Sequence, residues 1–191
     1  MTFKDVKKVH EGKFVDRYDL TYELKDGSEK VYEMISRDHG ICEAEDPFAR
    51  LQREEADSVV LFITDPTGEK LLISKEFRLA CGDWVYNVPA GLIDPGETPE
   101  ESAKRELWEE TGLTLESIDD KLDHSFAAVG FSNEKNICIF GTASGEFKES
   151  TSAEEEIVPG WYTKEEVREL LRKEYFAART QAYCYLWSKE S

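Results

Sequence analysis

One 23-residue stretch constrains this chain more than any other: Gly91-Leu-Ile-Asp-Pro-Gly-Glu97-Thr-Pro-Glu-Glu-Ser-Ala-Lys-Arg105-Glu106-Leu107-Trp-Glu109-Glu110-Thr-Gly112-Leu113. Thr98 suits an N-cap, Pro99 suits the first helical position, and Glu101 completes a capping box. The spacing therefore predicts a helix from about residue 98 to Thr111, ended by Gly112. Glu106, Glu109 and Glu110 fall at i, i+3 and i+4, so they share one face, beside the apolar stripe of Ala103 and Leu107. Three carboxylates this close repel one another unless cations intervene. A set of hard oxygen ligands without His or Cys favours magnesium, with manganese as a substitute, over zinc. Such ions hold a pyrophosphate and activate water for attack on phosphorus. Glu97 stands just before the helix, near its positive end, and Arg105 is within reach to orient it. The Gly91-to-Gly96 loop offers backbone freedom where chain and metal must approach closely. The plain alternative is a Glu-rich solvated helix; it would win for a single Glu pair but not for the whole segment.

The rest of the chain reads as strands and helices around this element. Tyr18, Leu20, Tyr22 and Leu24 alternate with polar residues, and Asp26-Gly27 is a turn signal. Residues from about Phe14 to Arg37 therefore read as a β-hairpin, too small to stand alone. The stretch 38–57 is highly charged and reads as a surface insertion with one helical turn around Phe48 and Leu51. Strands follow at Val59–Ile63, Leu71–Arg78, Trp84–Tyr86, Asn136–Ala143 and Glu156–Tyr162. Thr163-Lys-Glu-Glu166 opens a helix with a capping box. A last helix over about 177–189 presents Ala178, Ala182, Tyr185 and Leu186 as its apolar face. Strands alternating with helices point to an α/β sandwich. The domain division is 1–57, a hairpin and charged insertion serving dimerisation, and 58–191, the catalytic domain.

Charge and cysteines narrow the partners. The net charge is −17. That argues against a nucleic-acid backbone or an anionic membrane as partner, and it favours a metal bridge wherever this chain handles phosphates. Cys42, Cys81, Cys138 and Cys184 are widely spaced, which suggests free thiols in a reducing compartment. The N-terminus lacks an apolar signal core and no run reaches membrane-spanning length, so a cytoplasmic protein is expected.

The 91–113 segment resembles the Nudix box at every specified position, without a gap. The resemblance implies a Nudix-type α/β/α sandwich with a mixed sheet, preceded by an N-terminal β-hairpin subdomain. It implies that Glu106, Glu109 and Glu110 bind Mg2+, that the Ala90 carbonyl joins them, and that Arg105 orients Glu97. The flanks resemble the ADP-ribose pyrophosphatase branch. Phe77-Arg78 is similar to its aromatic-Arg pair, which implies that Arg78 contacts the diphosphate. Val88-Pro-Ala-Gly-Leu92 is similar to the branch's entry to the box. Gly130-Phe-Ser-Asn-Glu134 is similar to its substrate loop, with Glu134 contacting substrate. Arg179-Thr180 is similar to a Lys-Thr pair in the last helix. A homodimer sharing the substrate site is implied as well. Glu155, within Glu154-Glu155-Glu156, matches a loop glutamate that acts as base or extra ligand, and a solvated acidic loop is an equal reading. Trp84 and Tyr18 stack on a base or serve the core. Val129 stands where the branch usually has proline, which leaves other nucleoside-diphosphate sugars and dinucleoside polyphosphates open beside ADP-ribose. The expected reaction is water attack on one phosphorus, giving AMP and ribose 5-phosphate. A non-catalytic nucleotide-binding domain is the rival from another class.

Overall fold

In the computed structural model, which describes residues 1–148 and 156–189, the chain divides into two compact units. The first comprises Met1–Asp57 with His124–Asn136, and the second Ser58–Asp123 with Ile137–Ser191.

The first unit holds an antiparallel sheet of three strands, β1 (Thr2–His10), β2 (Asp16–Glu23) and β3 (Glu29–Ser36). The expected hairpin is β2–β3, with Gly27 at φ 83 in its turn. Its apolar alternation puts Tyr18, Leu20 and Met34 on one face, where they cluster with Val6 and Ile41. β1 corrects the sequence reading, which left residues 2–10 without structure. Its burial is confined largely to Val6, and bulges at Phe3/Asp5 and Lys8/His10 break the period of two that marks a strand. The charged stretch is also more than a solvated insertion. Its helix α1 (Pro47–Leu51) is capped by Asp46, its Ile41 is fully buried, and its Arg50 and Arg53 pair with the buried Asp38. Tyr18 is core: its buried hydroxyl lies 2.7 Å from the Asp38 carbonyl and 3.2 Å from Asp16.

The second unit is built on a seven-stranded sheet. Its strands are β4 (Ser58–Thr64), β5 (Lys70–Arg78), β6 (Asp83–Asn87), β7 (Ala90–Leu92), β8 (Thr114–Phe126), β9 (Lys135–Ser144) and β10 (Ile157–Thr163). The spatial order is β10-β5-β4-β9-β8, with β6 paired to β5 and β7 to β4. Six of the seven β4 residues are buried, because helices cover both faces of the sheet. Helix α2 (Pro99–Thr111) packs on β4 and β7. Helices α3 (Lys164–Lys173) and α4 (Ala178–Trp187) bring Val167, Cys184 and Trp187 against Leu71, Ile73 and Tyr86. This is the expected α/β sandwich.

Three elements differ from the sequence reading, the first being β7, which pairs with β4 where a loop is expected from Gly91. β8 was missed because Glu116, Asp119, Asp120, Lys121 and Asp123 interrupt its apolar pattern. Helix α4 buries Thr180, Cys184 and Trp187, whereas Ala178, Ala182, Tyr185 and Leu186 face solvent. Ten residues with apolar groups on all sides carry little directional signal, and a buried Thr does not count as core from sequence.

Asp16 is fully buried, and burial by itself raises a carboxyl pKa. The Gly12 N–H, Lys8, His39 and the Tyr18 hydroxyl outweigh that penalty and hold it at about 2 against an ordinary 3.8. A depressed folded-state pKa gives stability that is present above the unfolded value and is lost as pH falls through the folded one. Thermal midpoints of the protein and of Asp16→Asn should therefore lie well apart at neutral pH. They should converge between pH 3.8 and about 2. A gap that stays constant over that window would show that Asp16 acts through shape rather than charge.

Candidate active site

Helix α2 begins as its sequence dictates. The Thr98 side chain accepts from the Glu101 N–H at 3.2 Å, and the Glu101 carboxylate accepts in return from the Thr98 N–H at 2.9 Å. Gly112 closes the helix in the left-handed region, at φ 80, with its N–H donated to the Trp108 carbonyl. Ala103 and Leu107 are fully buried, so the helix is fixed in rotation about its axis. That rotation sets where the acidic face points.

Arg105 organises that face. Its guanidinium grips Glu97 in a two-pronged fork, Nε to Oε1 at 2.8 Å and Nη2 to Oε2 at 2.9 Å. Nη1 donates to Glu106 at 2.8 Å and to Glu109 at 3.2 Å, and Nη2 also donates to the Leu92 carbonyl at 2.9 Å. A planar fork satisfies this many acceptors at once, where an ammonium would not. The hydrogen bond that Arg105 donates to Glu97, joined by those to Glu106 and Glu109, pushes the arginine pKa further up, and the same bond holds the Glu97 carboxyl below its usual range. The Asp94 N–H adds a bond to Glu97 Oε2 at 3.2 Å. Asp94, Ser102 and the Leu92 carbonyl, all in contact with this network, were not singled out from sequence. Ser102 stands at i−3 from Arg105, a spacing that could have flagged it.

Gly91 has a different reason to be glycine from the one expected. It does not adopt a positive φ. Instead, a Cβ built on it would lie 1.9 Å from the Glu106 Cδ. The Glu106 carboxylate occupies the space a side chain would fill, against the β7 backbone that also carries Ala90. Backbone freedom is needed at Gly96, at φ 92. Glu110 is buried on the same helix, and Glu109 is partly exposed.

The donors fit a hard divalent cation in kind: three glutamates on one helix face, one of them seated in a glycine cradle, with no soft ligand among them. Among the described residues, no three Asp, Glu, His or Cys side chains converge closely enough to ligate one ion as placed. The Arg105 guanidinium lies between Glu106 and Glu109, and their side chains would turn from it to share a cation.

The remaining expected residues fall in separate places. Arg78 ends β5, pairs with the buried Glu76 at 3.3 Å, and lines a cavity of about 610 Å³ with Asp83, Val85, Asn87, Phe176 and Arg179. Thr180 is fully buried; its hydroxyl donates to Asn87 Oδ1 at 2.7 Å and accepts from the Val88 N–H at 3.3 Å. That bond ties α4 to the strand end four residues before Gly91. Trp84 meets Phe77 edge to face and is half-buried. Glu134 lies in the first unit, where it accepts from Arg37 Nε at 3.0 Å. Its loop is held to β3 by the Ile35 N–H, which donates to the Phe131 carbonyl at 2.8 Å. Val129 takes the second position of a turn closed by the Phe131 N–H to the Ala128 carbonyl, a position that favours proline. Glu155, and Glu154 with it, lie outside the described residues.

Comparison with known proteins bears on the family and the fold. The family model described as "NUDIX domain" matches residues 54–184. An ADP-ribose pyrophosphatase of Bacillus subtilis is 28% identical over 128 residues, covering 67% of this chain and 58% of that protein. An ADP-ribose pyrophosphatase of Escherichia coli is 30% identical over 102 residues, covering 48% of each chain. The chain thus spans less than two thirds of the length of either relative. A crystal structure of an ADP compounds hydrolase superposes with a TM-score of 0.67 at 20% identity, over 97% of this chain and 90% of that one.

Two outcomes follow from the site's geometry. Gly91→Ala displaces only the flexible end of Glu106, so stability should change by less than about 1 kcal/mol while divalent-cation affinity drops. Denaturant unfolding and isothermal titration with Mg2+ or Mn2+ read the two separately, and a stable variant with unchanged affinity would show that the cradle is incidental. Val129→Pro should stabilise the protein by about 0.4–1 kcal/mol through its unfolded state. A loss of stability would mean that the turn's backbone does not match proline.

Proposed function

The chain belongs to the Nudix hydrolase family, and from that premise we propose that it is a magnesium-dependent pyrophosphohydrolase of nucleoside-diphosphate sugars, with ADP-ribose as substrate and AMP and ribose 5-phosphate as products. The observation that carries the reading is the Arg105 network. One guanidinium ties Glu97, in the loop before α2, to Glu106 and Glu109 on a helix whose rotation is fixed by buried Ala103 and Leu107. A structural helix gains little from crowding carboxylates on one face; a phosphate-handling site requires it. The choice of ADP-ribose is supported by the pyrophosphatases of Bacillus subtilis and Escherichia coli to which the chain is similar, and by Phe77-Arg78 and Gly130–Glu134.

Glu106, Glu109 and Glu110, with the Ala90 carbonyl, would hold the cation. Bound there, magnesium would neutralise diphosphate oxygens and assist ionisation of the attacking water. The protein's own groups do the rest. Arg105 keeps Glu97 ionised and fixes the loop through the Leu92 carbonyl. Gly91 lets Glu106 reach the backbone of β7. Arg78 offers a guanidinium to a diphosphate oxygen. Water adds to one phosphorus, the bridging oxygen leaves with the other, and a carboxylate accepts the proton. That base is a glutamate of α2 or Glu155. Glu134 binds substrate, and two copies of the chain pair as a homodimer.

Glu109→Gln and Glu110→Gln keep side-chain size and remove one charge each. Each should lower kcat with Mg2+ by about 10²-fold or more while circular dichroism stays unchanged. Full activity in both variants would remove the proposed site. A panel of ADP-ribose, UDP-glucose, GDP-mannose, a diadenosine polyphosphate and a nucleoside triphosphate tests the substrate. Preference for ADP-ribose supports the assignment, and preference for another member moves the specificity while keeping the chemistry.

A further inference from the structure

A second cavity lies between α3 and α4, and no residue of the Nudix box lines it. Its volume is about 270 Å³, and its walls are Arg168, Leu171 and Arg172 of α3, Tyr185 of α4, and Ser188 and Lys189 just beyond the end of α4. Arg168 and Arg172 stand at i and i+4, so both guanidiniums project from one face of α3. Arg168 Nη1 donates to the Ser188 carbonyl, which fixes that guanidinium at the cavity wall and leaves its other N–H groups for further acceptors. Lys189 Nζ donates to the Tyr185 hydroxyl, whose own proton is left to donate elsewhere.

The cavity combines positive charges that have no counter-charge. The chain has 41 acidic residues against 24 basic ones, so a cation here rarely lacks a nearby acid. Arg17, Arg37, Arg50, Arg53, Arg78 and Arg105 each pair with a carboxylate. Among the described residues, no carboxylate is within ion-pairing distance of Arg168, Arg172 or Lys189, and the neighbouring Glu169 pairs with Lys173 at 3.3 Å. Glu190 follows in sequence and lies outside the described residues. A helix C-terminus attracts a cation, and Arg168 serves α4 in that way. Helix α2 ends with no basic residue in its last turn, so the dipole by itself does not call for three cations at one place. The volume falls below the roughly 300–1,000 Å³ typical of sites for drug-sized ligands, which suits a small anionic group.

We propose that this cavity binds a phosphate group, with Arg172 and Lys189 supplying charge, Arg168 a fixed donor and the Tyr185 hydroxyl a neutral one. A tetrahedral dianion accepts from several donors at once, and charge-assisted bonds from guanidiniums are the strong kind. Inorganic phosphate and phosphate monoesters share this group. The site stands on its own geometry; only a match between its ligand and the products of the reaction, both of them phosphate monoesters, rests on the hydrolase reading above.

The test is calorimetric titration of the intact protein, without added metal, with inorganic phosphate, ribose 5-phosphate and AMP in turn. Arg172→Gln removes one guanidinium, Arg172→Lys returns the charge without the fork, and Lys189→Gln removes the ammonium. Arg168 is left in place because it also holds the end of α4. Phosphate affinity should fall about tenfold in Arg172→Gln and in Lys189→Gln, and recover in part in Arg172→Lys. Lys25→Gln, at an exposed turn of the first unit, should leave it unchanged. Equal affinity for the three ligands assigns recognition to the phosphate alone, and tighter binding of one monoester, lost in Arg172→Gln, assigns the site to that product. Absence of phosphate binding at millimolar concentration overturns the proposal, as does an affinity unchanged in both Arg172→Gln and Lys189→Gln. A tenfold rise in Glu190→Gln overturns it by making Glu190 the occupant, and capture of a glutamate-rich peptide without any phosphate binding overturns it by making the cavity a protein-docking surface. If the unaltered protein hydrolyses no diphosphate with Mg2+ or Mn2+, the hydrolase reading fails, and the phosphate titration still decides this cavity.

Discussion

A single guanidinium sets the geometry of the acidic helix. Arg105 reaches Glu97 from the loop before α2, Glu106 and Glu109 from its own helix, and the Leu92 carbonyl from the strand end. Remove its charge and the carboxylates of one face repel; remove its planarity and the loop loses its anchor to the helix. The elements around it are arranged accordingly. The capping box fixes where α2 begins, Gly112 fixes where it stops, and the buried stripe fixes its rotation. Gly91 then leaves room for a carboxylate against the strand.

What could be read from sequence was what is decided locally. The limits of α2, the β2–β3 hairpin, the run of β4 and the cap of α3 all follow from signals within a few residues. The Arg105–Glu97 contact was legible for the same reason, because eight residues across a helix start bring an arginine back to the loop. What was missed depends on partners far along the chain. β1 and β8 carry too many charges to show a period of two, and they are strands because a neighbouring strand accepts their backbone bonds. The buried face of α4 was assigned to the opposite side because Thr180 is core only in the presence of Asn87. Gly91 looked like a need for backbone freedom. Its true constraint, the position of the Glu106 side chain, is visible only in three dimensions.

The two units use acidic residues in contrasting ways, and the contrast carries functional meaning. In the first unit, each buried acid has donors of its own. Asp16 has the Gly12 N–H, Lys8, His39 and Tyr18; Asp38 has Arg50, Arg53 and the Gly40 N–H. These carboxylates tie loops to a small sheet, and their charge is neutralised where it stands. In the second unit, one arginine serves four carboxylates, those of Asp94, Glu97, Glu106 and Glu109, and a fifth, Glu110, is buried on α2. A fold under pressure for stability alone would space these acids apart or replace some of them. Keeping them together leaves an excess of negative charge beside a backbone cradle. On the proposed function, the charge missing from that balance is the one a divalent cation would bring. Under that proposal, the electrostatic cost concentrated in α2 is offset when the cation binds.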